Sequence, residues 1–141
     1  MDELKTFFIA MIPVVELRGA IPIALQVYNL PLWSALLFSV LGNFVLMFSV
    51  FLMGNFIANI FPGVFEHTRS KHHSNVARFG KRAVVFVLSA LPIPFVGGLT
   101  GAIAAFVFGV PFKEAVLLMG SGLVVAGIIV SIVTLGIVNI L

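Results

Sequence analysis

With 141 residues, 61% of them hydrophobic and only 9% charged, and a mean hydropathy of +1.23, the chain cannot cover its own surface with solvated groups. This excludes most soluble enzymes and binding modules and predicts a single transmembrane domain over 1–141, with no room for a separate soluble one. The net charge of +3 is local, since five of the eight basic residues lie between Arg69 and Arg82, so no nucleic-acid-binding face is expected.

The first apolar stretch, 6–27, follows Met1-Asp2-Glu3-Leu4-Lys5, which lacks the basic lead-in of a signal peptide, so no cleavage is expected. It is interrupted by Pro13, Glu16, Arg18, Gly19 and Pro22. Tyr28 and Trp33 bracket a turn at Asn29-Leu30-Pro31, where amphipathic aromatics suit a membrane interface. The stretch 33–60 is long and almost uninterrupted, enough to span a bilayer as helix. Residues 62–82 form a hydrophilic linker with Arg69, Lys71, Arg78, Lys81 and Arg82 against Glu66, and the positive-inside rule makes it cytoplasmic. A prokaryotic cytoplasmic membrane is the expected setting. The stretch 83–108 is broken by Leu91-Pro92-Ile93-Pro94 and Gly97-Gly98-Leu99-Thr100-Gly101, and 115–141 again reads as a full span.

A broken stretch of about 21 residues makes either one crossing or a hairpin of two short helices, each reaching half-way in. Central prolines and glycines favour the hairpin, whose irregular backbone must be satisfied by protein or a watery cavity. The halves also repeat: Ile12-Pro13 matches Ile93-Pro94, and 17–21 matches 99–103. Pro31, Ala35, Leu37 and Gly42 match Pro111, Ala115, Leu117 and Gly122. A hairpin plus one spanning helix crosses an odd number of times, so its copy must be inverted. The expected fold is therefore an all-α integral membrane protein, an inverted repeat in which each half is a re-entrant helical hairpin plus one transmembrane helix. Repeat one covers about 6–60 and repeat two about 83–141. Four full crossings with parallel repeats is the alternative.

Charged groups at mid-membrane are costly and functional by default, which singles out Glu16 and Arg18. Residues two apart point away from each other on a helix, so an unwound tip beside Gly19 is expected to turn both towards one cavity. Glu16 suits proton exchange, because desolvation and a nearby cation pull its affinity for a proton in opposite directions. Arg18 presents a planar fork for phosphate or carboxylate. A purely structural pair that holds the broken backbone together is the competing reading. Gly97, Gly98 and Gly101 either let backbone N–H groups approach an anion at a helix start or pack helices closely. Thr100 stands opposite Arg18 in the repeat, and Asn43 is the deepest polar residue of the second stretch, with Asn55 and Asn59 on one face below it.

His67, His72 and His73 lie in the solvated linker, so no metal or cofactor is expected. Cysteine is absent, Asp2 is the only aspartate, and neither a His-Glu-x-x-His nor a P-loop pattern occurs, so the chain is not expected to be an enzyme.

The string Ile12-Pro13-Val14-Val15-Glu16-Leu17-Arg18-Gly19-Ala20-Ile21-Pro22, with Pro92-Ile93-Pro94-Phe95-Val96-Gly97-Gly98-Leu99-Thr100-Gly101-Ala102 after it, resembles the small multidrug export protein family. That family is distantly similar to DedA or VTT-domain membrane proteins, which implies re-entrant hairpins and translocation of lipids or polyprenyl phosphates. By that likeness Glu16 and Arg18 match the first motif, and Pro94, Gly98, Thr100 and Gly101 the second. DedA-like proteins tend to carry an arginine in the second motif, and this sequence has none there. The candidate substrate and proton site is thus Glu16, Arg18, Gly19, Pro22 and Asn43 with Pro94, Gly97, Gly98, Thr100 and Gly101. The expected function is translocation of an amphipathic, anionic substrate such as a lipid phosphate, coupled to protonation of Glu16, in a flippase-like homo-oligomer, a dimer, among membrane lipids. A proton-coupled small multidrug exporter is the alternative. The four-helix small multidrug resistance transporters also place a glutamate in their first helix, but Arg18 opposes the lipophilic cations those proteins carry. A non-transporting membrane scaffold is the alternative of another class.

Overall fold

The computed structural model describes residues 1–63, 75–93 and 97–140, and the described residues outside the turns are helical. The helices are α1 (Asp2–Ala10), α2 (Glu16–Gln26), α3 (Leu32–Ile60), α4 (Asn75–Ala90), α5 (Gly98–Val107) and α6 (Phe112–Ile140).

Proline sets most of the boundaries. Pro31 and Pro111 stand just before α3 and α6, and each carbonyl accepts from the N–H four residues on, Ala35 at 3.0 Å and Ala115 at 2.9 Å. Helix α3 stops at Ile60 because Pro62 pushes Phe61 out of the helical region, to φ −121° and ψ 66°. Each long helix has 29 residues, about 43 Å at the helical rise, against about 30 Å of bilayer hydrocarbon. Their most apolar windows are only 28% and 33% buried, whereas a soluble core helix of this composition would be mostly covered. Both are long and apolar enough to cross a membrane.

The long helices run antiparallel. Phe112 packs on Phe48 and Phe51, Gly120 faces Phe44, and Gly127 faces Val40 and Leu36. They also bury the same pattern of positions: Ala35, Ser39, Gly42 and Asn43 in α3, and Ala115, Met119, Gly122 and Leu123 in α6. Gly42 meets α1 so closely that a Cβ would collide with the Phe7 carbonyl, and at Gly122 a Cβ would come within 2.5 Å of Ser89 and 3.0 Å of the Phe86 carbonyl on α4. The turns before the two helices agree as well, with Asn29 at φ 50° and Gly109 at φ 64°.

Each pair of short helices doubles back. Lys5 near the start of α1 lies over the Tyr28 ring just after α2, with Nζ 5.5 Å from its centroid. Likewise Arg82, half-way along α4, holds Glu114 of α6 by two bonds of 2.8 and 2.7 Å, so the first half of α4 lies towards the end where α5 hands over to α6. The α1–α2 pair opens at the Leu32 end of α3, and the α4–α5 pair at the opposite end, beside Phe51 and Asn55. Leu17, Ile21, Met47, Met119 and Leu123 form the core between them.

Two expectations about boundaries change. Helix α4 starts at Asn75, well before 83, so the end of the expected linker is helix, with Arg78 and Phe79 exposed on it. The first break is confined to 11–15, and α2 runs on through Gly19 and Pro22. Glu66, His67, Arg69, Lys71, His72 and His73 lie outside the described residues.

Candidate functional site

Both helix pairs break where the sequence supplies proline. In the first, Pro13 ends the α-helical ladder, and the chain turns through bonds from Val15 N–H and Glu16 N–H to the Ile12 carbonyl at 3.0 and 2.9 Å. Glu16 then takes φ 50°, a left-handed conformation uncommon for a residue with a Cβ. Such a conformation persists only where its surroundings over-determine it. In the second, Pro92 keeps Leu91 from continuing α4, and α5 begins at Gly98.

The two breaks meet. Arg18 Nη2 donates to the Leu91 carbonyl at 2.9 Å and lies 3.6 Å from Glu16 Oε2. Across the same contact the Leu99 N–H donates to Glu16 Oε1 at 3.3 Å. The Glu16 side chain is 8% exposed and that of Arg18 15%. A cation therefore sits at the carbonyl end of α4 and an anion at the amide end of α5, each matching the partial charge of that helix terminus. Gly97 makes the approach possible, because a Cβ there would collide with the Arg18 guanidinium.

This differs from the expected unwound tip. Arg18 and Gly19 are helical, with Gly19 N–H on the Val15 carbonyl at 3.0 Å, and the left-handed turn at Glu16 alone brings the two side chains together. Gly19 gives room to the Val15 side chain. Pro22 stays in the helix and offers no N–H to the Arg18 carbonyl one turn back.

Asn43 of α3 lies under the contact, fully buried, and Gly98 approaches its carboxamide closely. Thr100 turns its hydroxyl to the Gly97 carbonyl at 2.8 Å, which fastens the start of α5. Gly101 packs against Ser89 of α4, a helix-packing role. Pro94 lies outside the described residues. Leu91 and Leu99 act through backbone atoms and carry no side-chain signal in the sequence; the one available signal is that helix ends at a Pro/Gly break leave such groups in need of partners. Asn55 and Asn59 stand apart from the tips and line an open cavity of about 490 Å³ with Phe51, Phe108 and Phe112 at the far end of α3. Among the described residues no cluster of metal-ligating side chains occurs.

The family model described as "Putative small multi-drug export protein" matches residues 16–129, from Glu16 through most of α6. No curated protein and no solved structure matches the chain.

Proposed function

We propose that this chain, which belongs to the small multi-drug export protein family, is a membrane transporter that moves an amphipathic, anionic substrate and couples the movement to protonation of Glu16. One observation carries the reading: the chain's own carboxylate occupies an anion slot. Glu16 holds the Leu99 N–H at the start of α5 with one oxygen and faces Arg18 with the other. A helix N-terminus and a guanidinium are the groups that bind phosphates and carboxylates. A proton on Glu16 removes the anion from the slot and leaves the Arg18 charge to be met by a head group. Proton and substrate then alternate at one place, and the contact between the tips opens and closes with them.

In the membrane the α1–α2 and α4–α5 pairs are re-entrant hairpins in an inverted repeat. The opposed directions of the pairs, the shared burial pattern of α3 and α6, and the paired turns at Asn29 and Gly109 support this. The meeting point then falls near the midplane, where broken helices carry the substrate sites of transporters. The basic residues of the linker support a cytoplasmic position for it by the positive-inside rule, and copies associate as a homo-oligomer, a dimer. If the two motifs resemble those of DedA or VTT-domain proteins, as read from the sequence, a lipid phosphate is the favoured head group. The family's description favours drug export as a second reading, although Arg18 beside Glu16 opposes a cationic cargo.

Calorimetric titration of octyl phosphate into the protein in a neutral maltoside detergent tests this. Arg18→Ala should weaken binding by about 30-fold or more, the worth of a charged hydrogen-bonding contact. Glu16→Gln should bind more tightly than wild type at neutral pH, because the competing charge is gone. Equal affinity in wild type and Arg18→Ala would remove the basis of the anion reading, and tetraphenylphosphonium binding that depends on Glu16 would favour cation export.

A further inference from the structure

Asn43 is fully buried on α3, and among the described residues neither its amide nitrogen nor its oxygen has a hydrogen-bond partner. A carboxamide in that state carries an uncompensated desolvation cost, which a partner at another point in the working cycle would offset. Its position relative to the tips is close. A Cβ on Gly98 would come within 3.2 Å of the Asn43 nitrogen and 3.3 Å of its oxygen. Gly98 is followed by Leu99, whose N–H holds Glu16 Oε1. The unpartnered amide and the Glu16 carboxylate therefore stand beside adjacent residues in the first turn of α5.

We propose that Asn43 is the positioning residue that receives the Glu16 side chain when it is protonated, carboxylic acid and amide closing a ring of two hydrogen bonds. The chemistry distinguishes the two states of Glu16. A carboxylate has only acceptors, so it can take the Asn43 Nδ2 hydrogen but leaves Oδ1 unmade. A proton from the aqueous phase adds to one Glu16 oxygen, and no other covalent bond changes. The new O–H donates to Asn43 Oδ1 while the acid carbonyl accepts from Nδ2. Glu16 thereby leaves the Leu99 N–H and the side of Arg18 that it faced, and the substrate anion takes its place there. This rests on the proton-coupled reading above and adds to it the place where the acid goes.

Among the described residues the ionisable groups around Glu16 are few. Arg18 is the charged residue that faces it from α2. The ionisable residues of α1, Asp2, Glu3 and Lys5, lie at the far end of that helix, and α3 and α5 carry none. Arg78, Lys81 and Arg82 of α4 and Lys113 and Glu114 of α6 stand at the end away from the tips, where Arg82 and Glu114 pair. Residues 91–97 include no ionisable side chain.

Thermal unfolding of wild type and Asn43→Leu in maltoside, at about pH 3.5 and about pH 8 on either side of the ordinary carboxylate range, gives the first readout. Asn43 stabilises only the protonated state, so its contribution is present at low pH and lost as pH rises. Asn43→Leu should lower the Tm at the acidic pH and leave it unchanged or raised at the alkaline one, where wild type buries an unmade amide. In a Glu16→Gln background the effect should lose its pH dependence. The second readout is infrared: the carbonyl stretch of protonated Glu16, identified as the band lost in Glu16→Gln, should move to higher frequency in Asn43→Leu and stay nearer wild type in Asn43→Gln. Should Asn43→Leu fail to fold, Asn43→Ala removes the amide without added bulk and gives the same two readouts. An equal Tm change at both pH values with an unmoved band overturns the role of Asn43. If octyl phosphate binding then still depends on Arg18 and Glu16, the transport reading stands without it; if that dependence is missing too, both fall.

Discussion

Gly97→Ala is the sharpest structural perturbation available, because the added methyl would fall on the Arg18 guanidinium. Arg18 would have to withdraw from the Leu91 carbonyl at 2.9 Å and from Glu16 at 3.6 Å. Losing one hydrogen bond from a charged donor at a mostly buried site is worth about 1.5–3 kcal/mol. For a chain of this size that corresponds to a fall in Tm of roughly 4–10 °C. The assay is thermal unfolding in detergent of wild type, Gly97→Ala, Arg18→Ala and the double variant. Once Arg18 is short, the atom left beside the methyl is the Leu91 carbonyl oxygen at 3.3 Å, so Gly97→Ala should cost less in the Arg18→Ala background, a coupling of about 1.5–3 kcal/mol. Gly136→Ala, with open space around its Cβ position, is the control and should stay within about 0.5 kcal/mol. If Gly97→Ala costs the same with and without the Arg18 side chain, the contact between the two tips is not the one described.

Other consequences are direct. Gly42→Leu and Gly122→Leu should each abolish folded protein in size-exclusion profiles, because each drives bulk into a neighbouring helix backbone, Phe7 on α1 or Phe86 on α4. Arg82→Ala should cost no more than about 1 kcal/mol despite two good bonds to Glu114, since both partners are well exposed, and raising salt should shrink the effect further in the same unfolding assay. Cysteines placed at Trp33 and Lys113, exposed at the starts of α3 and α6, should react with a membrane-impermeant thiol reagent from opposite sides of the vesicle, because the two helix starts stand at opposite ends of α3; labelling from one side would favour four full crossings.

Hydropathy and proline made most of the helical layout legible. The second and fourth stretches differ from α3 and α6 by a few residues at their ends, and the sequence matches Pro31/Pro111, Ala35/Ala115 and Gly42/Gly122 are positions with the same local structure. The start of α4 was hidden because Arg78, Lys81 and Arg82 read as solvated linker, while the helix accommodates them at its exposed beginning. At the site, charge in an apolar stretch pointed to Glu16 and Arg18, but not to how they meet. That depends on a left-handed φ at a glutamate, which no residue-type preference favours, and on backbone atoms of Leu91 and Leu99, which carry no side-chain signal. The breaks also align differently from the sequence match. Arg18 was paired with Thr100, whereas Glu16 and Leu17 at the start of α2 share their burial with Gly97 and Gly98 at the start of α5. The pairing of polar ends seen here is what a structural role for Glu16 and Arg18 requires, and a transport role uses the same contact as its closed state.

If Glu16 and the substrate anion share one slot, anion binding takes up a proton. Octyl phosphate is added to weakly buffered protein in maltoside near neutral pH, and the pH change is followed with an indicator dye, wild type beside Glu16→Gln. The variant subtracts the probe's own titration. If the anion displaces a Glu16 carboxylate that must take a proton to leave its slot, wild type will absorb close to one more proton per bound anion than Glu16→Gln. Equal uptake by the two proteins, with octyl phosphate bound to both, would contradict the exchange of proton and anion at this site.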